Sequence, residues 1–288
     1  MQDQTPAVAI LPYGQSPGGH LDQFPADELH WPIGQPDRMR GQPASALAST
    51  DHLIVYPRTS THFRPAFGTR AQVSMMVVEP EAIHAKHLWL LRFSHRRFFR
   101  VLSYNDALLA QIPNGVFVPY GTTWVPDWRD LTLRKTKLTS LIASAKRSQQ
   151  GHRLRHQIVQ MVNDEGFDVD ILGRGYQPFA QKSDGLLPYR YSVIIENIQE
   201  PNYFTEKLID AVLCETVPIY WGCPNLDKFM DVSGMILCRD AEEIRQALQH
   251  ASPEDYQKRL PALRAVKDVA DTYGDLEKRA AQALLNSL

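Results

Sequence analysis

The sequence predicts an α/β protein made of two Rossmann-type domains in series. Apolar runs of strand length recur along the chain, several of them end at Pro or Gly, and the segments between them are long enough to form helices. With 288 residues the chain is long for one core and suits two domains of roughly 100–200 residues each. Hydrophobic residues make up 43% and charged residues 22%, which is the balance of a globular protein.

The first predicted domain covers residues 1–126. Its candidate strands are Ala7–Leu11, Asp51–Tyr56, Gln72–Val78, Phe99–Ser103 and Val116–Val118. Pro57 and Pro80 close two of these runs, and the Pro- and Gly-rich stretch that ends near Pro43 has no period of 2 or 3.6. We therefore expect a mostly parallel sheet with one long irregular loop.

A second α/β series is predicted over residues 127–267, and residues 268–288 are predicted to form a helix that packs across or beside the domains. The candidate strands are Leu138–Ser144, Phe167–Leu172, Tyr191–Ile195, Val217–Trp221 and Met235–Cys238. The candidate helices are Gly151–Asp164, Thr205–Leu213 and Ala241–His250.

The overall charge and the cysteines limit the possible classes of protein. The 31 Lys and Arg balance 32 Asp and Glu to a net charge of -1, unlike a dedicated nucleic-acid binder. The three cysteines form no CxxC or metal-spaced pattern, which is typical of a reducing compartment. The sequence shows neither a secretory signal pattern nor an apolar run of about 20 residues. We therefore expect a cytoplasmic protein without a transmembrane segment, with peripheral contact to a membrane surface left open.

The most informative segment is Tyr189–Pro224. A buried strand delivers Glu196 and Asn197 at its carboxyl end, where ligands bind in open α/β sheets. Thr205 is a suitable N-cap for the next helix, whose free N–H groups favour an anion. Lys207 in the first turn opposes the helix dipole, which makes sense if a phosphate binds there. A solvated first turn is the alternative interpretation.

This segment resembles the donor-binding motif of glycosyltransferase family 10, the α1,3/4-fucosyltransferases. The matching elements are Tyr191, Glu196-Asn197, Tyr203-Phe204-Thr205-Glu206-Lys207, Val217-Pro218 and Gly222-Cys223-Pro224, which occur in the family's order. The weaker resemblance begins near Ser140. It implies a GT-B-like fold with the active site in the cleft between the two domains.

The resemblance also implies roles for donor-side residues. It makes Glu206 a hydrogen-bond acceptor for sugar hydroxyls, with a catalytic role. It also places Tyr203 near the donor and makes Lys207 a contact of the donor diphosphate. A family arginine that grips the diphosphate is matched best by Arg155, with Arg153 as the fallback. Both lie in a basic stretch that begins near Lys146, for which RNA binding or a solvated helix start are the alternatives.

The acceptor side is predicted from the same resemblance, which implies an inverting, metal-independent reaction with a carboxylate base in the N-terminal domain. Glu79 follows an apolar strand and fits this role, with Glu81 as its nearest competitor and a plain polar strand end as the alternative. His95 could line an acceptor pocket or belong to a charged helix face. Tyr120 and Trp124 could stack on a sugar or be structural aromatics.

We expect no metal site and no cofactor besides the GDP-sugar co-substrate. Asp168-Val169-Asp170 has the Asp-x-Asp spacing but lies inside a predicted strand. The predicted function is the transfer of a sugar, fucose in the first instance, from a GDP-sugar to the hydroxyl of a glycan or glycolipid. The alternatives are a GT-B transferase that uses another nucleotide sugar, a silent nucleotide- or glycan-binding protein, and a nucleic-acid-binding module.

Overall fold

The computed structural model describes residues 5–288, which form two compact units. The first unit contains the chain up to Tyr120 together with Leu276–Leu288, and the second contains Gly121–Asp275. The predicted boundary after residue 126 lies in the strand-free segment that opens the second unit. No helix within residues 5–288 is long and apolar enough to cross a bilayer.

The first unit contains a five-stranded parallel sheet. Its strands are β1 (Val8–Ile10), β2 (His52–Val55), β3 (Gln72–Val77), β4 (Val101–Ser103) and β5 (Gly115–Phe117), in the spatial order β1-β2-β3-β4-β5. Helix α1 (Glu81–Ser94) connects β3 to β4, and α2 (Asp106–Leu109) connects β4 to β5. All five predicted strands are present, each within two residues of the predicted bounds.

The second unit also contains a five-stranded parallel sheet. Its strands are β6 (Lys137–Ile142), β7 (Val169–Leu172), β8 (Tyr189–Ile195), β9 (Val217–Trp221) and β10 (Ile236–Leu237). Its helices are α3 (Gln150–Glu165), α4 (Glu206–Leu213), α5 (Ala241–His250), α6 (Pro253–Ala265) and α7 (Lys267–Thr272). The strand order is β10-β9-β8-β6-β7, so the chain moves outward from β6 to β7 and then resumes on the other side of β6.

The end of the chain differs from the single helix predicted over residues 268–288. Helix α7 ends at Thr272, and α8 (Leu276–Leu285) begins three residues after Tyr273. Gly274 makes the break, because its N–H bonds to the carbonyl of Asp271 in a turn and its own carbonyl accepts from the Thr123 N–H. As a result α7 belongs to the second unit and α8 to the first.

Helix α8 completes the first unit's core. Four of its side chains are buried against one face of the sheet: Leu276, Ala280, Ala281 and Leu284. The strand residues of that face are Val8, Ile10, Ile54, Met76 and Leu102. Tyr56 donates a 2.7 Å hydrogen bond to Glu277 at the start of this helix. The other face of the sheet is covered by α1 and by the long irregular segment between β1 and β2.

Candidate functional site

The carboxyl ends of β6 and β8 form the topological switch point of the second sheet. The connection after β6 leads through α3 to β7 on one side, and the connection after β8 leads through α4 to β9 on the other. Open α/β sheets bind ligands at such a point, because the two diverging connections leave a crevice there. Both predicted donor-binding segments therefore start at one place in the fold.

The start of α3 lies directly against the peptide that follows β8. The Gly151 N–H donates to the Asn197 carbonyl at 2.9 Å. A Cβ atom on Gly151 would overlap the carbonyl oxygen of Glu196, and one on Gly222 would overlap the side chains of Tyr220 and Glu196. Only glycine fits at these two positions, so the backbones can hold the strand end and the helix start together.

Glu196 is a fully buried carboxylate that anchors the start of α4. It accepts hydrogen bonds from the Thr205 N–H and the Thr205 hydroxyl, both at 2.8 Å, and lies 3.4 Å from the Lys207 ammonium. Thr205 is the N-cap of α4, as predicted, and accepts from the Lys207 N–H at 3.3 Å. Contact of Glu196 with a ligand would require these bonds to open, so we interpret it as the residue that positions Thr205 and Lys207.

Lys207 is held in the first turn of α4 by carboxylates. Its ammonium lies 3.1 Å from Glu206 and donates to the Thr205 hydroxyl at 3.0 Å. Burial disfavours the charge on Lys207, but Glu196 and Glu206 outweigh it and raise the pKa of Lys207. Burial likewise opposes the charge on Glu206, while the neighbouring lysines lower the pKa of its carboxyl. Both side chains therefore stay ionised at neutral pH.

Arg155 reaches the same place from α3. Its Nε donates to the Ile195 carbonyl at 3.1 Å, and its Nη2 donates to that carbonyl and, at 3.3 Å, to the Asn197 side-chain oxygen. Burial lowers the pKa of Arg155, although Glu196 and Glu206 oppose the shift. Its Nη1 donates to no residue that the structure describes, which leaves one edge of the guanidinium for a ligand.

His152 shows that the surroundings carry a positive potential. Its Nδ1 accepts from the Gln149 N–H at 3.2 Å and closes a capping box at the start of α3. Burial, together with the charges of Arg155, Lys146 and Lys207, lowers the pKa of His152 to about 4. A phosphate placed among these cations would gain from the same potential.

The structure separates the two arginines of the basic stretch. Arg155 is buried, whereas Arg153 is exposed and bonds to the Ser148 carbonyl at 3.3 Å. Lys146 is also exposed and lies at the margin of the group. Tyr203 is buried at the start of the α4 connection. The structure thus brings six of the predicted donor-side residues into one connected group: Arg155, Glu196, Asn197, Thr205, Glu206 and Lys207.

Lys182 belongs to this group and was missed by the sequence analysis. It opens a short 3-10 helix, Lys182–Gly185, after the loop that follows β7. Burial lowers the pKa of Lys182, and the carboxylates of Asp210 and Glu206 oppose this shift. The ammonium has no hydrogen-bond or ion-pair partner in the described chain, and it lies 5.7 Å from the centre of the Trp124 ring. It follows that a third cation is available beside Glu206.

Trp124 lies in the second unit rather than in the N-terminal domain to which it was assigned. Asp210 on α4 accepts from the Thr123 hydroxyl at 2.7 Å and from the Trp124 N–H at 3.0 Å. Burial raises the pKa of Asp210 to about 6. The Trp124 side chain remains 63% exposed, so its ring is open to a ligand on the same side as Lys182.

The predicted acceptor-side residues of the first unit have different settings. Glu79 is half-buried and follows β3 at the carboxyl edge of the sheet. His95 is buried and bonds to the Asn114 side chain at 2.9 Å, whose amide donates to the carbonyls of His95 and Phe98. This makes His95 a structural residue, contrary to its predicted place in a pocket. Tyr120 packs beside the core that α8 completes.

No group of three metal-ligating side chains occurs in the described part of the chain. In the Asp-x-Asp sequence, Asp170 pairs with Lys137 at 2.6 Å and accepts from the Tyr189 hydroxyl at 2.8 Å. These contacts explain that carboxylate as part of the sheet edge.

Comparison with known proteins connects the second unit to a family. Residues 132–258 match the model of the glycosyltransferase family 10 (fucosyltransferase) C-terminal domain. The second unit is thus similar to the C-terminal domain of family 10. This match includes β6 to β10 and every donor-side residue of the switch point, and it confirms the resemblance drawn from the sequence.

Curated relatives agree with this assignment over parts of their length. An α-(1,3)-fucosyltransferase of Helicobacter pylori is 33% identical over 69 residues, which are 24% of this chain and 14% of that protein. A 4-galactosyl-N-acetylglucosaminide 3-α-L-fucosyltransferase of Pongo pygmaeus is 25% identical over 178 residues, covering 59% of this chain and 47% of the relative. The chain therefore spans less than half of the length of each of these relatives.

A solved structure supports the fold of the chain as a whole. The Anabaena HepE protein, determined in complex with UDP, superimposes with a TM-score of 0.56 at 14% identity, covering 88% of this chain and 85% of that one. The predicted GT-B-like class, with two parallel-sheet α/β halves, is thus confirmed. At this identity the likeness concerns the fold alone.

Proposed function

We propose that this chain is an inverting, metal-independent glycosyltransferase that transfers fucose from GDP-fucose to a glycan hydroxyl. The observation that carries the proposal is the group of cations around Glu206 at the switch point of a family 10 domain. Lys207 contacts Glu206 at 3.1 Å, and the charge of Glu206 also acts on Arg155 and Lys182, which come from two other connections. Fucosyltransferases among the relatives support the choice of sugar.

In the proposed reaction, an acceptor oxygen attacks C1 of fucose on the face opposite the diphosphate. Glu79 takes the proton of that hydroxyl, and the bond between C1 and the diphosphate oxygen breaks with its electron pair on GDP. Lys207 and Arg155 stabilise the developing negative charge, aided by the N-terminus of α4. Glu206 would accept hydrogen bonds from hydroxyls of the donor, for which an ionised carboxylate is suited.

The first experiment measures thermal stabilisation of the chain by GDP, UDP, ADP and CDP in the presence of a chelator. We expect a shift of the melting temperature with GDP, since a ligand that binds only the folded state stabilises it. A shift with UDP alone would favour another nucleotide sugar. No shift with any nucleotide would favour a silent protein. With GDP-fucose and a 4-galactosyl-N-acetylglucosaminide acceptor, proton NMR of the product would then test inversion at C1.

Glu79→Gln tests the assignment of the base. The substitution should lower the transfer rate about a hundredfold or more, the usual scale for general-base catalysis, while GDP affinity stays unchanged. Glu81→Gln is the matched control, because Glu81 is the next carboxylate along the chain and opens α1. If Glu79→Gln transfers fucose at the original rate, the base lies elsewhere.

A further inference from the structure

Helix α1 presents two large aromatic side chains to solvent. Trp89 is 57% exposed and Phe93 is 72% exposed, and their rings contact each other edge to face with centroids 5.3 Å apart. The two residues are four positions apart, so they lie on the same face of the helix. The opposite face is buried through Leu88 and Leu91. Exposed aromatics grouped in this way are typical of an interaction surface rather than of isolated surface residues.

Basic residues flank this aromatic pair on both sides. At 100° per residue, Lys86 lies on one side of the pair and Arg92 on the other. Arg96 follows α1 in the 3-10 turn His95–Arg97, and all three basic side chains are exposed. None of the three forms an ion pair with a residue in the described range. The only acidic residue of α1 is Glu81, at its first position. The outer face of α1 is therefore both apolar and positively charged.

We propose that this face, defined by Lys86, Trp89, Arg92, Phe93 and Arg96, binds an anionic lipid surface. Trp and Phe insert at the boundary between headgroups and acyl chains, and Lys and Arg beside them contact anionic headgroups. A protein partner with an acidic rim would meet the same charges, but a centre made of Trp and Phe with cations on both flanks suits a planar interface best. The proposal is independent of the proposed donor chemistry, because none of these residues belongs to the second unit.

The test is co-sedimentation of the full chain with vesicles of phosphatidylcholine alone and of phosphatidylcholine and phosphatidylglycerol in equal parts. We expect binding to the mixed vesicles that weakens with salt, since exposed charges are screened. Trp89→Ser/Phe93→Ser should reduce the partition coefficient at least about tenfold, because two partly inserted aromatic side chains are lost. Trp89→Phe should keep most of the binding and remove the shift of tryptophan emission that accompanies insertion.

A matched pair of charge variants separates specific from general electrostatics. Arg92→Gln/Arg96→Gln should weaken binding about fivefold for each charge removed. Lys228→Gln/Lys258→Gln removes two exposed charges from the second unit and should leave binding unchanged. All variants should keep the melting temperature and circular dichroism of the original chain, since the substituted side chains are exposed.

Three results would overturn the proposal. These are equal binding to neutral and anionic vesicles, equal losses in the two charge variants, and binding that survives Trp89→Ser/Phe93→Ser. A chain that binds neither kind of vesicle would overturn the proposal as well. If sedimentation velocity then shows a dimer that Trp89→Ser/Phe93→Ser dissociates, the face is an interface between copies of this chain.

Discussion

Helices α1 and α4 occupy equivalent places in the two units and are built differently. Each follows the central strand of a five-stranded parallel sheet, β3 for α1 and β8 for α4. Glu196 comes directly after β8, and Glu79 comes two residues after the end of β3. Helix α1 starts with an acid, Glu81, as the helix dipole favours, and has no side-chain cap. Helix α4 has the Thr205 cap and carries a cation, Lys207, against the dipole.

The difference shows where the charges around each of these two helices lie. In the second unit a buried carboxylate, Glu196, is present to hold a lysine at an otherwise unfavourable position. In the first unit the charges around α1 lie on the outside, beside exposed aromatics. The first arrangement fits an anionic group bound at a strand end, and the second fits a broad charged surface. The two predictions with the largest expected effects test the buried arrangement.

The largest effect is expected for Gly151→Ala. The added methyl group would overlap the Glu196 carbonyl, and neither backbone can move without separating α3 from β8. We expect a loss of at least about 3 kcal/mol in the free energy of unfolding. Chemical denaturation measures it, with Gly19→Ala as control, because a Cβ atom at Gly19 meets no atom within 4 Å. Equal stability of the two variants would contradict the close contact.

A smaller loss is expected for Glu196→Gln, which removes one of the two buried carboxylates that pair with Lys207. Breaking one side of a buried ion pair commonly costs about 3–5 kcal/mol, whereas replacing both sides costs much less. Because Glu206 stays 3.1 Å from the Lys207 ammonium, we expect Glu196→Gln to cost less than about 3 kcal/mol. The double variant Glu196→Gln/Lys207→Met should therefore recover part of the stability. Glu243→Gln breaks an exposed pair with Arg239 and should cost less than about 1 kcal/mol. Similar losses for Glu196→Gln and Glu243→Gln would show that burial does not matter here.

The smallest effect concerns binding rather than stability. Lys182→Ala and Lys207→Ala should each weaken GDP binding by about 1.5–3 kcal/mol, the usual cost of one charge-assisted contact. Arg147→Ala removes an exposed cation of the basic stretch and should not change the affinity. Isothermal titration measures all three. An unchanged affinity in Lys182→Ala would remove this residue from the donor site.

Much of the fold follows from local patterns in the sequence. Strand β9 and helix α5 have the predicted bounds, and Thr205 caps α4 as expected. A buried parallel strand is a continuous apolar run, and a capped helix begins after a residue such as Thr, so both can be recognised in the sequence. The strand order cannot be read in this way. It depends on contacts between segments that are distant in sequence.

Helix α1 and Lys182 escaped prediction for physical reasons. Helix α1 has apolar residues on both faces, since Trp89 and Phe93 are exposed opposite Leu88 and Leu91, so no single apolar stripe marks it. Lys182 lies in a loop without a motif, and only the folded chain brings it to Glu206. The signal that could have found it is its place between β7 and β8, next to the switch point.

Helix α8 makes the folding of the first unit depend on when the end of the chain is synthesised. Val8 and Leu284 belong to one layer of core, yet the whole second unit separates them in sequence. During synthesis on the ribosome, the face of the first sheet that α8 covers stays exposed while the residues of the second unit emerge. The second unit is then free to fold before the first is finished, so the order in which the units mature is the reverse of the order in which they begin.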